Sequence, residues 1–212
     1  MLRRCGTPTD VERGVRNREE RIVAPARDEM ENPVTGQRLA FIRTTTETGG
    51  ELLEMESHYR PQGRPPVLHY HPAQQERFEV LRGTLRVSLD GQERDLSAGE
   101  VLEIEPGIVH EMWNPGTEWA VVNWQVSPAL NTERFLRTAF GLAQDGKVKT
   151  LGMPGLLQTA VLLRAHDAEF RLARPPRAVQ RLLLGVLAPV GRLVGHRAAY
   201  ARYAPVLPRP PG

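Results

Sequence analysis

The sequence predicts a mainly β domain, a sandwich or barrel, followed by a small helical segment, on three observations. Short apolar-alternating runs separated by turn residues fill positions 38–126, as in all-β sandwiches and barrels. Beyond Pro128 the apolar period lengthens from that of a strand to that of a helix. Charge changes at similar points: residues 1–30 carry a net +1, residues 31–130 a net −7 and residues 131–212 a net +9, within an overall +3. A chain of 212 residues can bury one good core. The expected layout is a polar, disordered leader (1–30), a barrel (31–130) and a basic α-helical extension (131–212).

Each element has a local reason. Residues 1–30 mix charges without a sustained hydrophobic period, so they bury too little to offset the entropy of ordering. In the barrel, Leu85, Val87 and Leu89 alternate with Arg86 and Ser88, and Asp90-Gly91 follows, a dipeptide suited to a tight hairpin turn. Arg82-Gly83 and Asn114-Pro115-Gly116 mark two further turns. In the extension, Phe135, Leu136, Ala139, Phe140 and Ala143 fall on one helical face, and Asp145-Gly146 is a stop. A second helix begins near Pro154, and a third runs from about Pro176 through Leu184. Its continuation to Val194 is expected to break or kink at Pro189.

Scarcity excludes some chemistry. Cys5 is the single cysteine and Lys147 and Lys149 are the only lysines, which disfavours a cysteine nucleophile or a lysine Schiff base. One cysteine gives no intrachain disulfide framework, consistent with a cytoplasmic setting. The charged start lacks the apolar stretch of an export signal. The most apolar run, Leu182 to Val194, is too short to span a bilayer. The tail's arginines are interspersed with apolar residues and prolines, with no pattern that would place a helix in a groove, so no nucleic acid is expected. Packing on the barrel, with the arginines meeting its surplus carboxylates, or across a homodimer interface is favoured over peripheral membrane contact.

The residues with the most chemistry are His69, His71, Glu76 and His110. Neutral imidazoles with a carboxylate suit a divalent transition metal. His69 and His71, two apart on a strand, project the same way. Glu76, Phe78 and Val80 share a face of the next strand, as do His110, Met112 and Asn114 of a later one. Three strands thus aim ligands into one interior, with Pro72 to Gln75 as a short connection between neighbouring strands. Tyr59, Phe78, Met112 and Trp124 read as core packing that also suits a cavity wall, and His58 or Gln75 as polar contacts. Glu54, Glu56 and Glu103 read as a solvated face.

The spacing around these ligands resembles the two cupin motifs. Gly63, five residues, His69-x-His71, four residues, Glu76, six residues and Gly83 is similar to the first; Gly99, then Gly107, two residues, His110, three residues and Asn114 is similar to the second. Glu105 stands where the second motif usually has proline, with Pro106 after it. The fifteen residues between Gly83 and Gly99 resemble the short inter-motif segment of compact single-domain bacterial cupins. The resemblance implies a double-stranded β-helix, or jelly-roll barrel, over residues 31–127, with His69, His71, Glu76 and His110 at ligand positions and Gly83 and Gly107 at turn positions.

Four protein ligands leave one or two positions of an octahedral ion open. Fe(II) and Mn(II) are favoured, and zinc, nickel, cobalt and copper suit the same donors. The leading expectation is a metal-dependent dioxygenase or related oxidoreductase acting on a small molecule. A non-redox isomerase, cyclase or decarboxylase is the alternative within catalysis, and a small-molecule binding or sensing module the alternative outside it. No general base is assigned, beyond detachment of Glu76 from the ion to act as one.

Overall fold

The computed structural model describes residues 28–150 and 153–204. Residues 1–27, which make up most of the expected leader, lie outside them. The first strand, β1 (Glu29–Glu31), pairs with β2 (Arg38–Arg43).

Two antiparallel sheets face each other as a double-stranded β-helix. The first has the order β1, β2, β3 (Leu53–Tyr59), β10 (Ala120–Ser127), β5 (Gln75–Arg82), β8 (Val101–Ile104). The second has the order β13 (Arg171–Leu172), β4 (His69–Tyr70), β9 (His110–Trp113), β6 (Thr84–Leu89), β7 (Gln92–Ser97). Inward residues of both sheets meet in one apolar cluster that includes Phe78, Val80, Val87, Leu102, Met112 and Val122. The alternation seen in the sequence is this inward and outward alternation.

One expected neighbour relation does not hold. β4 pairs with β9 and β13, and β5 pairs with β10 and β8, so the connection from Pro72 to Gln74 crosses between sheets. Gln74 is buried and fixes this crossing, its side-chain amide donating to the carbonyl of Pro128 (2.7 Å) and to the Thr132 hydroxyl (2.8 Å). The crossing puts Glu76 on the sheet opposite the histidines.

The extension holds three α-helices among the described residues, α1 (Thr132–Gln144), α2 (Leu156–Ala165) and α3 (Arg177–Leu193), and a short 3-10 turn at Ala201–Tyr203. It also contributes strands: β13 joins the second barrel sheet, and β11 (Val148–Thr150) pairs with β12 (Met153–Pro154). α1 lays Phe140, Leu136 and Ala139 against Leu39, Phe41, Leu53, Met55 and Val126. The expected break at Pro189 is absent, and α3 continues to Leu193. A mid-helix proline loses a hydrogen bond and crowds the carbonyl four residues back. Here Leu184, Ala188 and Gly191 are held against α2, so closely that a Cβ on Gly191 would lie 2.8 Å from the Leu157 carbonyl oxygen. That packing outweighs the local penalty.

Several arginines of the extension have their partners within it or just before the barrel. Arg171 and Arg177 both pair with Asp167, and Arg202 pairs with Asp145. Buried Arg137 pairs with Glu133 and with Asp28, which precedes β1. Four carboxylates lie within the extension itself, and sequence proximity brings them to the arginines first. Among the described residues, no helix is long and apolar enough to cross a membrane.

Candidate metal centre

The strand geometry brings the predicted ligands together. His69 on β4 lies directly across the ladder from His110 on β9. His71, just past the end of β4, keeps its ring on the same side, 5.2 Å from His69 and 5.3 Å from His110 between centroids. One nitrogen of each of the three imidazoles lies within 4.8 Å of the others. Glu76 reaches in from β5 on the facing sheet, its Oε2 3.3 Å from His71 Nε2 and 3.0 Å from His110 Nε2. His71, Glu76 and His110 are buried, and His69 is partly exposed.

Hydrogen bonds leave each of these groups one unused lone pair. The Nδ1 atoms of His69, His71 and His110 sit 2.8, 2.5 and 3.0 Å from the carbonyl oxygens of Val67, Glu169 and Ile108. A carbonyl only accepts, so each ring directs an Nδ1 proton to it and turns Nε2 toward the centre, bare in the neutral ring; protonated, His110 Nε2 faces Glu76 Oε2. Trp124 Nε1–H donates to Glu76 Oε1 at 3.0 Å, which leaves Oε2 free. His71 Nε2 and Glu76 Oε2 are buried without a hydrogen-bond partner. Orphaned buried polar atoms cost about 1–3 kcal/mol each, and a divalent cation would satisfy both at once. The donors therefore fit the ion that the motifs imply, since metal-binding histidines ordinarily hand their other ring proton to a carbonyl or carboxylate.

Electrostatics prepare that state at His69 and Glu76 and oppose it at His110. Removal from water, reinforced by the neighbouring His110 and His71, lowers His69 to about 3, so it stays neutral. Burial alone would raise the Glu76 carboxyl, but His71 and His110 pull it down to about 2, so it stays ionised. Burial disfavours the charged form of His110, yet its contact with Glu76 outweighs this and raises it above the ordinary 6.5. An incoming cation must displace that proton. Affinity is therefore expected to fall as the pH is lowered through the raised titration range of His110. Calorimetric titration at several pH values checks this, and an affinity that does not weaken as His110 is protonated would contradict it.

The other candidates separate clearly. Phe78 and Met112 are core residues, and Trp124 stacks on Phe78 at 5.7 Å while holding Glu76. Tyr59 packs partly buried against the same cluster. Burial, with the Glu76 carboxylate nearby, raises its phenol, which stays protonated. His58 pairs with Glu56 (2.7 Å), and Gln75 bonds Glu105 on the surface. Glu54 is not solvated as expected: it is 3% exposed, bound by Arg43 (2.5 Å) and Asn123 (2.9 Å). Asn114 is buried and pins a turn, donating to the carbonyls of Tyr59 and Glu118.

Two contributors went unnoticed in the sequence. Phe170 stacks on His69 with centroids 4.6 Å apart, and the Glu169 carbonyl holds His71. The available signal was slight, Phe170 and Leu172 alternating around Arg171 between two helices.

Residues 55–126 match the family model of the cupin domain, Cupin_2. The barrel has the cupin fold. The chain is 30% identical over 158 residues to the probable oxidoreductase yanE of Aspergillus niger, covering 68% of this chain and 59% of that protein. It is 30% identical over 115 residues to an oxidoreductase of Arthrobotrys oligospora, covering 50% of this chain and 45% of that one. The chain thus spans about half the length of these curated relatives. Both are fungal, so the bacterial part of the expectation is not shown. Among solved structures, an RmlC-like cupin from Shewanella frigidimarina is 19% identical with a TM-score of 0.45, covering 52% of this chain and 92% of that one.

Proposed function

We propose that this cupin is a metal-dependent oxidoreductase, of dioxygenase type, acting on a small molecule, with His69, His71, Glu76 and His110 as ligands of Fe(II) or Mn(II). The carrying observation is that four groups from both sheets converge with their remaining lone pairs free and two of them buried without a partner. The names of the fungal relatives support the redox assignment.

When bound, the ion supplies Lewis acidity and open positions for a small molecule and dioxygen. The chain's own residues do the rest. Val67, Glu169 and Ile108 fix the imidazole tautomers, and Trp124 orients Glu76 so that one oxygen remains for the ion. Phe78, Val87 and Met112 provide a dry wall, which strengthens every charge interaction within it. Tyr59 remains protonated. Metal content of protein purified without added ions, followed by oxygen uptake against phenolic, thiol and diketone compounds, tests the reading. Zinc alone with no uptake would overturn it; iron or manganese whose removal abolishes uptake would support it.

Self-association is part of the same proposal. Val179, Leu183, Val186, Val190 and Leu193 are exposed along α3 at alternating spacings of four and three, the seam of paired helices. A Leu183→Glu, Leu193→Glu double variant is expected to halve the mass measured by sedimentation. A wild-type protein that sediments as a monomer would contradict the dimer, and binding to anionic vesicles would favour the membrane alternative.

A further inference from the structure

We propose that residues 166–172 of the extension are a working part of the metal centre, setting the orientation of two of its three imidazoles. The inference rests on the metal reading above and adds to it residues well outside the matched cupin domain, 55–126. His69 and His110 each place Nδ1 on the carbonyl two residues back, Val67 and Ile108, just before their own strands. His71 does not. Its Nδ1 partner is the Glu169 carbonyl, 98 positions further along the chain. Without that carbonyl the ring loses the contact that fixes its tautomer and rotation, and its buried Nε2 no longer has a defined aim.

The segment also presses on His69. Phe170 stacks on its ring with the planes 23° apart, and Phe135 of α1 backs Phe170 from 5.1 Å. β13 pairs Leu172 with His69 and Arg171 with Tyr70, and Ala173 N–H donates to the Leu68 carbonyl. The segment is itself anchored through the buried Glu169 side chain, whose Oε1 accepts from the backbone N–H (3.1 Å) and side-chain amide (3.0 Å) of Asn131 at the start of α1. Glu169 thus acts as a positioning residue: its carboxylate fixes the backbone whose carbonyl fixes His71.

Co(II) titration of the full chain, read by visible absorption and by calorimetry, tests this. Glu169→Ala, folded by circular dichroism, is expected to bind Co(II) roughly 10- to 100-fold more weakly, the cost of losing an orienting partner, with shifted ligand-field bands. Glu169→Gln keeps an oxygen for Asn131 and is expected to restore both affinity and bands. Should Glu169→Ala not fold, Phe170→Leu reads the same strap through His69, with shifted bands expected. A folded variant with wild-type affinity and spectrum would overturn the inference and leave the metal reading standing. A wild-type protein that takes up no Co(II) would overturn both.

Discussion

Glu76→Gln is expected to leave the barrel folded while lowering divalent-metal affinity by more than the roughly 10- to 100-fold that loss of an orienting partner costs. The amide oxygen can still accept from Trp124 Nε1, the 3.0 Å contact that ties β5 to β10 at this point. What disappears is the negative charge facing His71 and His110. Coulomb attraction between a dication and a carboxylate is largest where water is excluded, and Glu76 is only 1% exposed. His110 also loses the contact that holds its proton, so the affinity that remains should depend less on pH. Chelator competition and thermal unfolding on one preparation separate the two effects. Wild-type affinity in a folded variant would remove Glu76 from the ligand set.

Gly83→Ala is expected to destabilise the protein far more than Gly107→Ala, although both glycines occupy turn positions of the motifs. Both have positive φ, +77° and +88°, where an L side chain costs roughly 1–2 kcal/mol. At Gly107 a Cβ would meet nothing within 4 Å, so the strain is the whole penalty. At Gly83 it would lie 2.7 Å from the Trp119 carbonyl oxygen and 2.9 Å from Ala120 Cα, both backbone atoms that cannot swing aside. Overpacking adds about 1–3 kcal/mol, and for a chain of this size the sum lowers the melting temperature by roughly 5–15 °C. Thermal denaturation of the two variants side by side checks this. Equal shifts would mean that the close approach is not what position 83 requires.

What could be read from the sequence is what local period determines. Alternation put His69 and His71 on one side and Glu76, Phe78 and Val80 on one face, because a strand's side chains repeat every two residues. The helical faces of α1 and α2 were likewise visible, with their turns and stops. Hidden from the sequence was everything set by long-range pairing. That His110 stands across the ladder from His69, and that the short Pro72–Gln74 link jumps between sheets, follows from which strands pair. The unbroken α3 depends on a face buried against α2 that a local rule for proline cannot weigh. The largest omission was the return of the extension to the centre, where Glu169 and Phe170 act through a backbone carbonyl and a ring stack. A backbone carbonyl has no residue signature, and a single phenylalanine between helices looks like ordinary core.

The central claim is that three imidazoles and one carboxylate, poised by their hydrogen bonds, hold a single divalent ion. X-ray absorption at the metal edge of Mn(II)- or Fe(II)-loaded protein measures that environment directly. The expected spectrum contains three imidazole nitrogens and at least one carboxylate oxygen in the inner shell, with one imidazole lost in His71→Ala. A shell of oxygen alone, or one unaltered in that variant, would place the ion elsewhere and contradict the account.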